Sequence, residues 1–249
     1  MEYQSQHQSI STDLSFVQPV EQAQVKNFMA NVFAYMFMAL GISALVAYLF
    51  STNHYLLQYL LNANGTGLNT LGFIVLLAPI GFVLLMSLGY SRLSPPVLIF
   101  LFVLYAAIHG ISFSLILLHF TSGTVLACFL SASAMFGIMA FMGYTTKQDL
   151  TKFGRIMIMG LIGIIVASLI NFFMQSPTMD YLISFIGVMI FTGLTAYDVQ
   201  KLKNIGAGIQ YANAGTADVK KASILGALNL YLDFVNLFLF LLRLFGRRN

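Results

Sequence analysis

Two aspartates occupy positions where a charged side chain is rare. Asp233 has apolar residues on both sides within the run 228–237, and Asp198 closes another apolar run. If these runs cross a membrane, an ionised carboxylate there costs about 2.5–3.5 kcal/mol on insertion scales. A chain keeps such a group when it is paired, protonated or in contact with water. Asp198 and Asp233 are therefore the first candidates for a functional site.

Each aspartate also has a purely structural interpretation. Asp233 could fix helix packing through hydrogen bonds, and Asp198 could be a boundary residue paired with Lys201 three positions further on. The functional interpretation places the two carboxyls together. Side chains tilt toward the N-terminus of their own helix, so on antiparallel neighbours Asp198 leans into the membrane and Asp233 leans back toward it.

Polar residues recur around Asp233 at helical spacing. Asn229 lies four residues before it and Asn236 three residues after it, which puts all three on one helix face. Arg243 follows seven residues after Asn236, roughly on that face. The sequence therefore predicts a polar stripe on the helix that carries Asp233.

Arg92 is the third charged candidate. It directly follows the second long apolar run, and Pro95 and Pro96 stop the helix beyond it. One interpretation is an anchor at the inner membrane face. The other is a counter-ion for Asp198 at the same depth, which would lock the second helix against the sixth.

The composition shows which elements must position these residues. Of the 249 residues 59% are hydrophobic and 8% are charged, and the mean hydropathy is +0.85, whereas a soluble domain carries about 25% charged residues. These values exclude a soluble enzyme and a disordered chain, and they predict an all-α integral membrane protein. The single cysteine excludes an internal disulfide, and no Cys/His cluster resembles a zinc site. The basic residues form no patch, so we expect no nucleic-acid partner.

Two long segments lack charged residues altogether. Residues 27–91 and 93–146 contain no Asp, Glu, Lys or Arg, and a membrane-spanning helix needs about 20 apolar residues. Each segment therefore holds two spans, and three more follow. The predicted spans are 27–50, 71–90, 97–118, 124–144, 156–174, 181–198 and 224–245, after a flexible polar N-terminal tail at 1–26.

Small residues recur at helical spacing within the spans. Ser133 and Gly137 form such a pair on the fourth span, and Gly160, Gly163 and Ala167 line a face of the fifth. Small residues let helices approach closely in lipid. We expect all five to mark packing contacts.

The distribution of Lys and Arg predicts the orientation. With the N-terminus in the cytoplasm, nine basic residues between Lys26 and Lys221 lie inside and the loops 51–70, 119–123 and 175–180 hold none. Seven spans then put the C-terminus outside, although Arg243, Arg247 and Arg248 make that end basic. A re-entrant last segment is the alternative. With no signal peptide recognised, we expect the cell inner membrane.

Three segments resemble the Bax inhibitor-1 family in its bacterial branch. They are the YDVQK run at 197–201, the run LNLYLDFVNLF at 228–238 and the run HGISFS at 109–114. The resemblance extends from about residue 27 to the end of the chain. The seventh-helix segment at 228–238 is the most specific match.

This resemblance implies a fold and a mechanism. The fold has six helices in two three-helix layers around a central seventh helix. The activity is a pH-sensitive calcium leak, in which Asp198 and Asp233 form a hydrogen-bonded pair and Arg92 binds Asp198. In this mechanism Asp198 and Asp233 are the pH-sensing gate and bind calcium weakly and transiently. The implied partners are the lipid bilayer, calcium ions as the transported species and other membrane proteins, and we expect no cofactor.

Two other functions are alternatives to the leak. A non-conducting scaffold that regulates stress or membrane-protein quality control is the alternative. Aspartates on the sixth and seventh helices also resemble intramembrane aspartyl proteases, but those need Gly-x-Gly-Asp and a later Pro-Ala-Leu. Here Leu230, Tyr231 and Leu232 precede Asp233 and no proline follows Pro177, so we expect no enzyme activity.

Overall fold

The fold is that of an all-α membrane protein. The computed structural model describes the backbone of residues 2–62, 67–211 and 215–246, and the side chains of 23–53, 55–62, 67–209 and 215–246. Over these residues there is no strand, and the single β-bridge pairs Leu61 with Leu68. Seven helices are long and apolar enough to cross a membrane. The predicted fold class is confirmed.

Each of the seven long helices overlaps one of the predicted apolar spans. A single helical turn, His54–Leu57, lies in the first loop. The seven long helices are α1 (Glu2–Thr52), α2 (Thr70–Leu88), α3 (Pro95–Leu117), α4 (Ser122–Thr145), α5 (Thr151–Met174), α6 (Pro177–Tyr211) and α7 (Thr216–Phe245).

The sixth helix is longer than predicted. The sequence predicted an end at Asp198, but α6 continues to Tyr211, and α7 begins at Thr216 rather than at residue 224. Lys201 and Lys203 follow this predicted end. They end the apolar part of the helix but not the helix, because basic side chains in water are compatible with helical backbone. Asp198 therefore lies within α6.

The N-terminal segment continues α1. The helix begins at Glu2 and runs without a break into the first span. The sequence predicted a flexible tail over residues 1–26. Only the backbone is described over residues 2–22, and the flexibility of this segment stays a prediction.

Helix α7 is the most enclosed of the seven. In its most apolar stretch 61% of the residues are buried, compared with 56% in α6 and 6% in α5. It packs against α1, α3, α4 and α6, whereas α5 packs mainly on α6 and α2 mainly on α3. The central position of α7 fits the expectation, while the arrangement of the other six helices in two layers stays a prediction.

The last span ends beside the start of the sixth. Helix α7 is continuous over 30 residues, which is about 45 Å of helix. Near its C-terminal end Arg243 forms an ion pair with Asp180 in the first turn of α6, with 3.7 Å between Nη1 and Oδ1. The orientation relative to the cytoplasm stays a prediction, and Arg247 and Arg248 lie outside the described residues.

The closest helix crossings involve other glycines than those predicted. A Cβ added at Gly137 or Gly163 would meet nothing within 4 Å, so these two do not mark tight contacts. Gly160 does face a neighbour, because a Cβ there would meet Ile190 Cδ1. On α4 a Cβ at Gly143 would collide with the carbonyl oxygen of Ala196 on α6. The small residue is therefore required at Gly143, where α4 crosses α6.

We predict that Gly143→Ala lowers the free energy of unfolding by about 1–3 kcal/mol, because the new methyl group must push α4 away from the α6 backbone. Reversible unfolding in detergent would measure the change. Gly163→Ala is the matched control, since its methyl group meets open space and alanine favours the helix. Equal stability of the two variants would contradict the predicted crossing.

Candidate functional site

A cavity of about 660 Å³ lies between α5, α6 and α7 and contains both candidate aspartates. Asp198 reaches it from α6 and Asp233 from α7. The walls are otherwise mostly apolar, with Ile, Leu and Phe side chains from all three helices. The structure thus brings together two carboxyls that are 35 residues apart in the sequence. We name this space the aspartate cavity.

Asp233 is the more buried of the two. The residue is only 5% exposed. Its Oδ2 atom has no hydrogen-bond partner among the described residues. A buried polar atom without a partner costs free energy unless water or a proton compensates it. The cavity beside Oδ2 provides space for such a compensating group.

The stripe on α7 lines the same cavity. Asn229, Asp233, Asn236 and Arg243 all contribute to its wall. The amide of Asn236 donates to the carbonyl oxygen of Leu232 at 2.8 Å, so its oxygen stays available. Arg243 also lines a neighbouring cavity of about 810 Å³, together with Asp180, Leu61 and Leu68. The Arg243–Asp180 pair therefore lies where the two cavities meet.

The position of Asp198 is held by Gln200, two residues further along α6. The Gln200 side chain is buried, accepts the backbone N–H of Leu150 at 2.8 Å and donates to the carbonyl oxygen of Gln148 at 2.7 Å. These bonds fasten α6 to the turn between α4 and α5. Sequence reasoning missed this role, although a glutamine next to an apolar run is a signal.

The same turn is stabilised by Asp149, which lies outside the spans. The hydroxyl and backbone N–H of Thr151 donate to Asp149 Oδ1 at 2.6 and 2.9 Å. These hydrogen bonds hold the pKa of the Asp149 carboxyl below its usual value. The charged carboxylate therefore closes an Asx turn over Leu150, directly before α5.

The cations lie differently from the prediction. Lys201 lines the aspartate cavity, and its charge acts on Asp198. Arg92 is exposed and does not line the cavity, and among the described residues the only ion pair is Arg243–Asp180. The structure therefore does not bring Arg92 to Asp198. The turn that carries Arg92 is instead tied to α7, because Lys221 Nζ donates to the carbonyl oxygen of Tyr90 at 3.4 Å.

A second polar cluster lies among α1, α3 and α7. The Ser43 hydroxyl donates to the carbonyl oxygen of Ala106 at 2.7 Å and lies 2.8 Å from the Tyr231 hydroxyl. The Tyr231 hydroxyl lies 3.3 Å from His109 Nδ1, and the Tyr105 hydroxyl lies 3.0 Å from the same nitrogen. His109 thus takes part in an interhelical hydrogen bond with Tyr231.

The directions within this cluster follow from the donors available. The Ser43 proton goes to Ala106, so the Ser43 oxygen accepts from Tyr231, and the Tyr231 oxygen can in turn accept from His109. Ser43 and Tyr231 were not predicted from the sequence. Tyr231 could have been noticed, because a hydroxyl so close to Asp233 must also find a partner inside the membrane.

Calcium would find few ligands in the aspartate cavity. Within the described ranges no group of three or more His, Cys, Asp or Glu side chains comes together. The two carboxyls supply at most four oxygens, fewer than the 6–8 of a stable calcium site. Such a set can hold the ion only weakly and transiently, which permits passage rather than storage.

Comparisons with known proteins agree with the membrane fold. The family described as "Inhibitor of apoptosis-promoting Bax1" matches residues 25–249. The chain is 43% identical to the inner membrane protein YbhL of Escherichia coli over 94% of its own length and 96% of that protein. It is 38% identical to an uncharacterised protein of Borreliella burgdorferi, covering 94% and 98%, and 36% identical to an uncharacterised membrane protein of Streptococcus pyogenes, covering 90% and 94%. With seven spanning helices and a match over nearly its whole length, the chain belongs to the Bax inhibitor-1 family.

Proposed function

We propose that this protein is a pH-sensitive calcium leak channel of the cell inner membrane. The observation that supports it is the aspartate cavity, in which two carboxyls from α6 and α7 share a mostly apolar space. Two carboxyls in one such site cannot both ionise cheaply. Their charge, and with it the attraction for a cation, should therefore depend on pH.

In the proposed mechanism Asp198 and Asp233 form a hydrogen-bonded pair that closes the path. Each carboxyl contributes to the electrostatic surroundings of the other, which supports the pairing. Calcium moves down its gradient, because the sequence contains no nucleotide-binding motif that could drive a pump. The path continues toward the cavity that Arg243 and Asp180 share.

Arg92 acts in the proposal as a lock on α2. Because α2 packs mainly on α3 and contains Pro79, it is the helix that can shift with the least loss of contacts. Arg92 would reach Asp198 only after its turn moves toward α6. Protonation of Asp198 would remove the attraction between its carboxylate and Arg92. We therefore expect acid to favour the open state.

The alternative is a non-conducting scaffold for other membrane proteins. Helix α5 packs mainly on α6 and exposes large apolar side chains such as Phe172 and Phe173 along the rest of its surface. Lipid or a partner helix would cover that surface equally well. Calcium flux into liposomes that contain only the purified protein separates the two functions, because a scaffold conducts nothing alone.

We predict that Asp198 and Asp233 titrate as one coupled pair. Infrared carboxyl bands followed against pH should show the two protons leaving in separate steps that belong to the pair. In Asp198→Asn the carboxyl of Asp233 should titrate in a single step. Two carboxyls that titrate independently in the parent would contradict the pairing.

We predict that Asp233→Asn abolishes most of the pH dependence of calcium flux in liposomes while the fold is retained. Asparagine keeps the size and hydrogen bonding of the side chain but cannot ionise. Asp218→Asn, which changes an exposed aspartate in the first turn of the same helix, is the control and should behave like the parent. If flux through Asp233→Asn follows pH as the parent does, Asp233 is not the sensor.

We predict that Arg92→Ala and Asp198→Asn each raise calcium flux several-fold at neutral pH, and that the double variant adds little. Both changes remove the same interaction, so their effects should not be additive. Arg155→Ala, an exposed arginine on α5, controls for the loss of a positive charge. Additive effects, or an Arg92→Ala variant that conducts like the parent, would leave Arg92 as a membrane anchor.

A further inference from the structure

A second cavity, of about 670 Å³, lies between α1 and α4, away from the aspartates. Phe33 and Met36 form one wall, Phe136 forms the other, and Phe234 of α7 lies between them. The two helices make little direct contact with each other over the described residues, and α7 spans the gap behind them. We name this space the α1–α4 groove.

The interior of the groove suits hydrocarbon. Apart from Lys26, Ser133 and Tyr144, its lining is entirely apolar. The Ser133 hydroxyl already donates to the carbonyl oxygen of Phe129 at 2.8 Å, so it needs no partner in the groove. A lipid chain that moves here exchanges one apolar environment for another, so it gains by close packing against the walls and has few polar groups to satisfy.

Two glycines keep the groove open. A Cβ added at Gly41 on α1 or at Gly137 on α4 would meet nothing within 4 Å, although both residues line the groove. At the rim Phe37 and Phe141 are 63% and 69% exposed, so the groove opens sideways toward the lipid. The empty space is therefore accessible to a lipid chain without passage through water.

One end of the groove is basic. Lys26 and Tyr144 lie at that end, and Lys203 Nζ donates to the carbonyl oxygen of Tyr144 at 2.7 Å while lying 5.3 Å from the centre of its ring. Among the described residues neither lysine forms an ion pair. Each ammonium keeps donors for an anion at the membrane surface.

The length of the groove fits a membrane lipid. Along α4 it extends from Phe129 to Tyr144, which is about 22 Å of helix. Half of the hydrocarbon core of a bilayer is about 15 Å thick. An acyl chain that enters from the basic end and spans its own half of the bilayer can therefore lie entirely within the groove.

We propose that the α1–α4 groove binds an anionic phospholipid from the leaflet on the Lys26 side. One acyl chain occupies the groove past Gly137 and Gly41, and the phosphate lies beside Lys26 and Lys203. The site is separate from the proposed leak, so it holds or fails independently of calcium conduction.

The groove can be filled without disturbing the packing around it. Gly137→Leu places a side chain in the empty space, whereas Gly163→Leu adds the same side chain to the outer surface of α5, where a Cβ also meets nothing. We expect native mass spectrometry of the protein from phosphatidylglycerol nanodiscs to show one retained lipid in the parent and in Gly163→Leu. Gly137→Leu should lose it. Equal retention in all three proteins, or equal loss in both variants, would overturn the site.

The headgroup preference has its own test. We expect the parent to retain phosphatidylglycerol over phosphatidylcholine, and Lys26→Gln to reduce that preference about fivefold, which corresponds to about 1 kcal/mol per juxtamembrane lysine. Lys152→Gln, an exposed lysine on α5, should leave the preference unchanged. A parent that retains both lipids equally would contradict an anionic ligand. A dimer that dissociates in Gly137→Leu would assign the groove to a second copy of the chain.

Discussion

The polar atoms on two opposite faces of α7 constrain the whole bundle. Asp233 and Tyr231 are two residues apart and so point about 200° apart around the helix axis. One faces the aspartate cavity and the other bonds to Ser43 of α1 and lies beside His109 of α3. A helix with polar groups on both sides cannot expose either side to lipid without a large cost. Other helices must therefore surround it.

This constraint assigns roles to the neighbouring helices. Helices α1 and α3 cover the tyrosine face of α7, and α5 and α6 enclose the aspartate face. The two faces of α7 differ in how completely their polar atoms are hydrogen-bonded. The tyrosine cluster has a partner for each hydroxyl, whereas Asp233 Oδ2 has none among the described residues. A satisfied network fixes packing, while an unsatisfied carboxyl beside a cavity responds to protons or cations.

The sequence predicts the helices better than their ends. Long apolar runs locate all seven spans, because charged side chains inside lipid are costly and therefore rare, and Asp233 and Arg243 are the exceptions in the seventh. The same rule fails at the end of α6, since Lys201 and Lys203 indicate where the lipid ends and not where the helix ends. Glycine spacing also did not predict which glycines make the tight helix contacts. Gly137 has the spacing typical of a contact, yet it lines the α1–α4 groove, while Gly143 makes the tight crossing.

For the site, the sequence predicts how deep each residue lies in the membrane but not which neighbouring helix its side chain faces. Counting residues from the end of a span places Arg92 and Asp198 at similar depths, and helical periodicity puts Asn229, Asp233 and Asn236 on one face. The rotation of each helix about its own axis depends on contacts between helices, such as Gln200 with the α4–α5 turn and Lys221 with Tyr90. These contacts join residues 50 or more positions apart and leave no local pattern. Arg92 shows the consequence, because a shared depth did not bring it to the aspartate cavity, and only a movement of α2 could do so.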